Sequence, residues 1–140
     1  MFGCDFVQEQ IEQFRYDEKG YKSLVFFENW RVAFMNDGPK TTVEGLSYLQ
    51  KHNETDEVFV LLEGRCVLLL AGFGDKPNEI TAVDMQPNVM YNVKKGAWHT
   101  HYFGPNTKVL IVENADTVLS NSPCVDLTPE QKKKIAELCK

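Results

Sequence analysis

A chain of 140 residues, 43% hydrophobic and 25% charged, carries enough apolar material for one sizeable core, which argues against a disordered or fibrous class. Its formal net charge of −5 argues against a nucleic-acid partner, because neutralising phosphates needs a basic face. The longest apolar runs, residues 58–62 and 66–71, are far too short to span a bilayer.

Residues 1–10 already contain Asp5 and Glu9 and lack the basic start and apolar run of a secretory leader, so a cytoplasmic protein is expected. The four cysteines, Cys4, Cys66, Cys124 and Cys139, form no CxxC pair, and reduced thiols are expected. The one tight basic run, residues 132–134, reads as a solvated helix face.

Residues 7–20 are polar with isolated apolar positions, a pattern open to a short helix or an irregular arm. From Tyr21 the character changes. Residues 23–28 and 30–35 are rich in aromatic and β-branched types and predict two strands, the second with the alternation of a half-buried strand. Asn36-Asp37-Gly38-Pro39 marks a turn. A strand is predicted over 45–51, then a polar hairpin-like link over 52–56 into a strand over 57–62. Glu63-Gly64-Arg65 turns the chain into a strand over 66–71, and 72–78 is a loop. Shorter strands are predicted at 80–83 and 90–93. A last clear pair covers 98–103 and 108–112, joined by Gly104-Pro105-Asn106. Thr128-Pro129-Glu130-Gln131 sets an N-cap, a proline in the first turn and a capping-box partner for one helix over about 128–139. Ile135, Ala136, Leu138 and Cys139 give that helix an apolar stripe. Many short strands without a linker predict a single all-β barrel or sandwich domain over 1–140, its core at about 22–115.

Chemistry concentrates in two short segments. His52 and Glu57 flank the link after the third predicted strand and would lie close across a hairpin. His99 and His101 are two apart, so on a strand they share one face, with Trp98, Thr100 and Tyr102 on the other. Imidazole nitrogens with one carboxylate suit Zn, Fe, Mn, Ni, Co or Cu and leave a position open for water or substrate. A candidate divalent-metal site is therefore His52, Glu57, His99 and His101, with Gln50 and Tyr48 as candidate catalytic groups that position substrate or move a proton.

The spacing His52-(four residues)-Glu57-(six residues)-Gly64 resembles the second half of the first cupin motif, and Gly96-Ala97-Trp98-His99 is similar to the G-x-x-H part of the second. The resemblance covers roughly residues 30–114 and implies an antiparallel β-barrel of jelly-roll type. His52, Glu57 and His99 would then be three of the four usual metal ligands. The chain departs from that pattern at Gln50, Lys94 and Phe103, where histidine, proline and asparagine are usual. The segment around His99 also resembles one in ureidoglycolate lyase. These likenesses imply isomerase, lyase or dioxygenase chemistry on a small polar metabolite, a sugar or a ureide-like hydroxy acid. The alternatives are a non-catalytic small-molecule-binding module with a degenerate metal site, or a subunit-interaction role. A homodimer through an exposed edge strand is expected under each.

Overall fold

The computed structural model describes residues 10–140. Ten strands are present among them: β1 (Gly20–Phe27), β2 (Trp30–Asn36), β3 (Tyr48–Gln50), β4 (Glu57–Glu63), β5 (Cys66–Leu70), β6 (Thr81–Asp84), β7 (Met90–Val93), β8 (His99–Phe103), β9 (Lys108–Asn114) and β10 (Cys124–Asp126). They form two five-stranded antiparallel sheets, ordered β1-β2-β9-β4-β7 and β10-β3-β8-β5-β6. The only α-helix among the described residues is α1 (Pro129–Leu138). It is too short to cross a membrane.

The inward faces of the sheets meet over a core of Phe59, Leu61, Cys66, Leu68, Phe103, Val109 and Ile111, drawn by the two-residue period from β4, β5, β8 and β9. On β2 the inward set is Arg31, Ala33 and Met35, whereas Trp30 is 40% exposed on the outside. A second apolar cluster lies on the outer side of the β5–β8 sheet. There Ile135, Leu138 and Cys139 of the helix region pack with Trp98, Val67, Leu69 and Leu49. The apolar stripe of α1 thus closes one outer face. Thr128 caps the helix as the sequence indicates, its hydroxyl accepting from Gln131 N at 3.1 Å while Gln131 Oε1 accepts from Thr128 N at 2.9 Å.

Several expectations change. The strands flanking residues 52–56 do not pair as a hairpin, because β3 lies between β10 and β8 while β4 pairs with β7 and β9 in the other sheet. The link therefore crosses from one sheet to the other. The strand predicted over 45–51 shrinks to three residues, since Gly45 N and Leu46 N both donate to the Thr42 carbonyl in a turn. The segments around β8 and β9 are likewise successive in the chain but sit in opposite sheets. Strand β10 is absent from the sequence reading; it is three exposed residues whose pairing partner, β3, supplies the order. Residues 10–19 form neither helix nor strand, and residues 7–9 of that prediction, with Cys4, lie outside the described residues. Cys66, Cys124 and Cys139 are free thiols.

Gly64, at the corner between the sheets, has φ +79, and a Cβ there would stand 2.3 Å from Thr107 Oγ1 and 2.7 Å from Asn106 O. Only glycine fits that approach.

Candidate metal centre

Three elements bring the candidate ligands together. His52 follows β3, and its position is set on both sides. Lys51 N and Asn53 N donate to the Pro123 and Asn121 carbonyls, and Gly96 N donates to the His52 carbonyl at 2.7 Å. The last bond ties the two histidine segments directly; Gly96 itself sits at φ +83. His99 begins β8, where it is the cross-strand partner of Gln50. Glu57 begins β4 with its side chain inward.

All three side chains are buried, at 8, 6 and 4% exposure for His52, Glu57 and His99. Each imidazole aims Nε2 at the same carboxylate oxygen: His52 Nε2 is 3.2 Å and His99 Nε2 3.0 Å from Glu57 Oε1. The groups on the far side of each ring decide where the protons sit. His99 Nδ1 lies 2.9 Å from the Ala97 carbonyl, which only accepts, so Nδ1 carries hydrogen and donates. His52 Nδ1 is 2.7 Å from Ser122 Oγ, whose own hydrogen goes to Asn121 Oδ1 at 3.1 Å, so this Nδ1 donates as well. The Asn121 oxygen is identified by the Val118 N–H that it also accepts. In the neutral tautomer both rings therefore turn a bare Nε2 lone pair toward Glu57. Three donor atoms lie within 4.8 Å of one another.

Such outer-ring bonds are the usual orienting partners of ligating histidines. Ligands of a divalent ion at about 2.1 Å and right angles stand about 3 Å apart, close to the two nitrogen–oxygen distances here. The residues fit a transition-metal ion. Without a cation between them, the same geometry needs a proton on an imidazole. Burial disfavours charge on His99, yet hydrogen bonding to Glu57 outweighs it and its pKa is raised. Burial likewise acts to raise the Glu57 pKa, but the His52 and His99 bonds prevail and hold the carboxyl well below the usual range.

His101 shares the inward face with His99, as its spacing implies, but stands outside the group of three converging donors. Its ring lies between Phe59 and Phe103, with centroids 5.8 and 5.3 Å away, and its buried Nδ1 has no hydrogen-bond partner among the described residues. Burial pushes its pKa down to about 4. Gln50 lines the same cavity, its amide donating to Ser122 O at 3.2 Å and Cys124 Sγ at 3.3 Å. Tyr48, 45% exposed, stands at the rim. The cavity holds about 340 Å³.

Sequence reasoning missed a second polar group. One residue beyond the Val58↔Val112 pair stand Glu57 on β4 and Glu113 on β9. Glu113 Oε1 is 4.0 Å from His52 Nε2. Its other oxygen, Oε2, accepts from Tyr21 OH at 2.6 Å, Arg31 Nη2 at 3.0 Å and Arg31 Nε at 3.3 Å. Burial, and then the charge of Glu57, raises the Glu113 pKa against the pull of Tyr21 and Arg31. Burial and Glu113 together push the Tyr21 phenol well above its ordinary value. Parity was the available signal: Glu113 keeps step with Val109 and Ile111, the inward residues of its strand. Ser122, in a loop, carries no such signal.

No family model and no curated protein matches this sequence. Solved structures do. CapF from Staphylococcus aureus, a capsular polysaccharide assembling protein, is 16% identical with a TM-score of 0.58. The match covers 81% of this chain but 31% of CapF, so the chain spans about a third of that protein. Streptomyces Pac13, solved with uridine, is 12% identical with a TM-score of 0.56 over 86% of this chain and 96% of its own. KdgF from Halomonas sp. is 12% identical with a TM-score of 0.51 over 74% and 87%. At these identities the likeness is one of fold.

Proposed function

We propose that this chain, which has a cupin superfamily fold, is a metal-dependent enzyme acting on a small polar metabolite, with His52, Glu57 and His99 holding a divalent transition-metal ion. One observation carries the reading: two imidazoles, each fixed as a donor on its far side, present Nε2 to one buried carboxylate beside a cavity of metabolite size. A bound ion would supply Lewis-acid polarisation of a ligand carbonyl or hydroxyl oxygen. Ser122 and the Ala97 carbonyl keep the two rings in the ligating tautomer. His101, neutral at physiological pH, presents a further nitrogen on the same face, and Tyr48 and Gln50 border the ligand's approach. Isomerase, lyase and dioxygenase chemistry all fit this arrangement. Pac13 is described as a nucleoside dehydratase, and the small-molecule reading accords with that neighbour.

A second reading, a binding protein without catalysis, draws on Gln50. It stands where a further histidine is usual, and its amide nitrogen is engaged with the β10 segment. The test is metal content of tag-free protein by mass spectrometry, with His52→Ala and His99→Ala beside it. Near-stoichiometric metal, lost in both variants, is the expected result. Protein that is metal-free and cannot be reloaded would overturn the reading.

A further inference from the structure

Glu113 is held in a way that leaves one oxygen unused. Tyr21 OH and both Arg31 contacts converge on Oε2, and no hydrogen bond from a described residue engages Oε1. That oxygen faces the metal ligands at 4.0 Å from His52 Nε2, beyond hydrogen-bond range, and Glu113 is not in the converging group of three. It stands beside the His52, Glu57 and His99 group rather than in it.

Among the described residues Arg31 is the only lysine or arginine lining this cavity, and it is committed. Besides Glu113 it donates from Nη1 to Ala115 O at 3.2 Å and from Nη2 to Thr117 O at 3.1 Å. Its charge balances Glu113 and is not available to an incoming anion. A ligand in this cavity meets a fixed, donor-hungry oxygen on β9 and, among the described residues, no uncommitted lysine or arginine.

We propose that Glu113 is the ligand-positioning residue of the cavity. Its Oε1 accepts a hydrogen bond from an O–H or N–H of a metal-bound ligand and selects hydroxyl- or amide-bearing molecules over donor-free dicarboxylates. The proposal rests on the metal reading above. The carboxylate is oriented before the ligand arrives, because three donors hold its other oxygen. A donor-bearing ligand satisfies Oε1, whereas a second carboxylate in the same place meets like charge.

The test uses the cobalt(II)-loaded full chain, titrated with glycolate and with oxalate and followed by visible absorption. The two probes differ by a hydroxymethyl group against a carboxylate. In Glu113→Gln, glycolate is expected to bind about 10-fold more weakly and oxalate about 10-fold more tightly, about the effect of one charge-assisted hydrogen bond in each direction. Tyr21→Phe keeps the Glu113–Arg31 pair but releases one anchor of Oε2; it is expected to shift the ratio the same way by about 3-fold, and serves if Glu113→Gln does not fold. An unchanged glycolate-to-oxalate ratio with cobalt still stoichiometric would overturn the proposal. Loss of cobalt from a folded Glu113→Gln protein would overturn it too, by making Glu113 a ligand. Failure of the unaltered protein to take up cobalt is a different result: it refutes the metal reading itself.

Discussion

Asp56 and Glu57 are chain neighbours, both carboxylates, both with depressed pKa values, and they belong to different regions of the molecule. Asp56 lies outside the barrel, where Lys94 Nζ at 2.8 Å, Lys95 N at 2.8 Å and Asn92 Nδ2 at 3.0 Å surround it and bring its pKa down to about 2. Glu57, one pleat later, points inward among histidines and is stripped of water. Outside, three donors in high dielectric hold a turn. Inside, two imidazoles in low dielectric flank a charge whose counter-charge, proton or metal, is exchangeable. The same depression therefore signals a structural clamp in one place and a candidate reaction centre in the other.

The sharpest way to break that contrast is Glu57→Gln. Metal content is expected to fall by at least 10-fold, and the metal-free protein to lose about 3–5 kcal/mol, the range for removing one partner of a buried charged pair. Mass spectrometry and urea unfolding read the two effects. A variant that keeps metal and full stability would make Glu57 no more than another Asp56.

The next effect concerns His101, whose folded pKa of about 4 lies below the ordinary histidine value of 6.5. Above pH 6.5 neither folded nor unfolded state binds this proton, so the group is neutral to stability. As pH falls from 6.5 to 4 the unfolded chain takes the proton first, and up to about 3 kcal/mol is lost. In His101→Leu that acid-side slope is expected to flatten in urea unfolding measured at each pH. An unaltered slope would assign the acid sensitivity elsewhere.

For the metal-free protein the Glu57–His99 pair acts with opposite signs at its two ends. The raised His99 pKa contributes stability that is complete below 6.5 and lost as pH rises through the folded value. The lowered Glu57 pKa contributes stability that is complete above 4.5 and lost as pH falls through its folded value. The pair is thus most stabilising between about 4.5 and 6.5. Metal uptake, which displaces the His99 proton, is expected to strengthen with pH across the His99 titration. Isothermal titration calorimetry with zinc in buffers of different ionisation enthalpy would count the released proton; zero release would contradict a protonated His99.

Asp56→Asn marks the small end. It is expected to cost about 1 kcal/mol or less, to shrink further in high salt, and to leave metal content unchanged.

Much of the centre was readable before any fold was known. The sequence grouped His52, Glu57, His99 and His101; the first three converge, while His101 shares the inner face with His99 but stands outside their group. The helix cap was readable because its hydrogen bonds are local, between Thr128 and Gln131. The hairpin around residues 52–56 was misread for the opposite reason. A loop of that length is compatible with pairing within one sheet or with crossing to another, and only the competition of β8, β9 and β10 for partners settles which.

What the amino-acid order determined by itself is the set of periodic and local features: strand segments, turn glycines, the cap, and a histidine–carboxylate spacing. Each depends on residues a few positions apart, whose geometry the backbone repeats impose. What only the tertiary structure decided is the second environment of every polar group. Ser122 reaches His52 across 70 residues, Arg31 reaches Glu113 across 82 and Tyr21 reaches it across 92. Those contacts fix tautomers and leave one carboxylate oxygen free, and they arise because closing two sheets over one core brings distant strands within hydrogen-bond range.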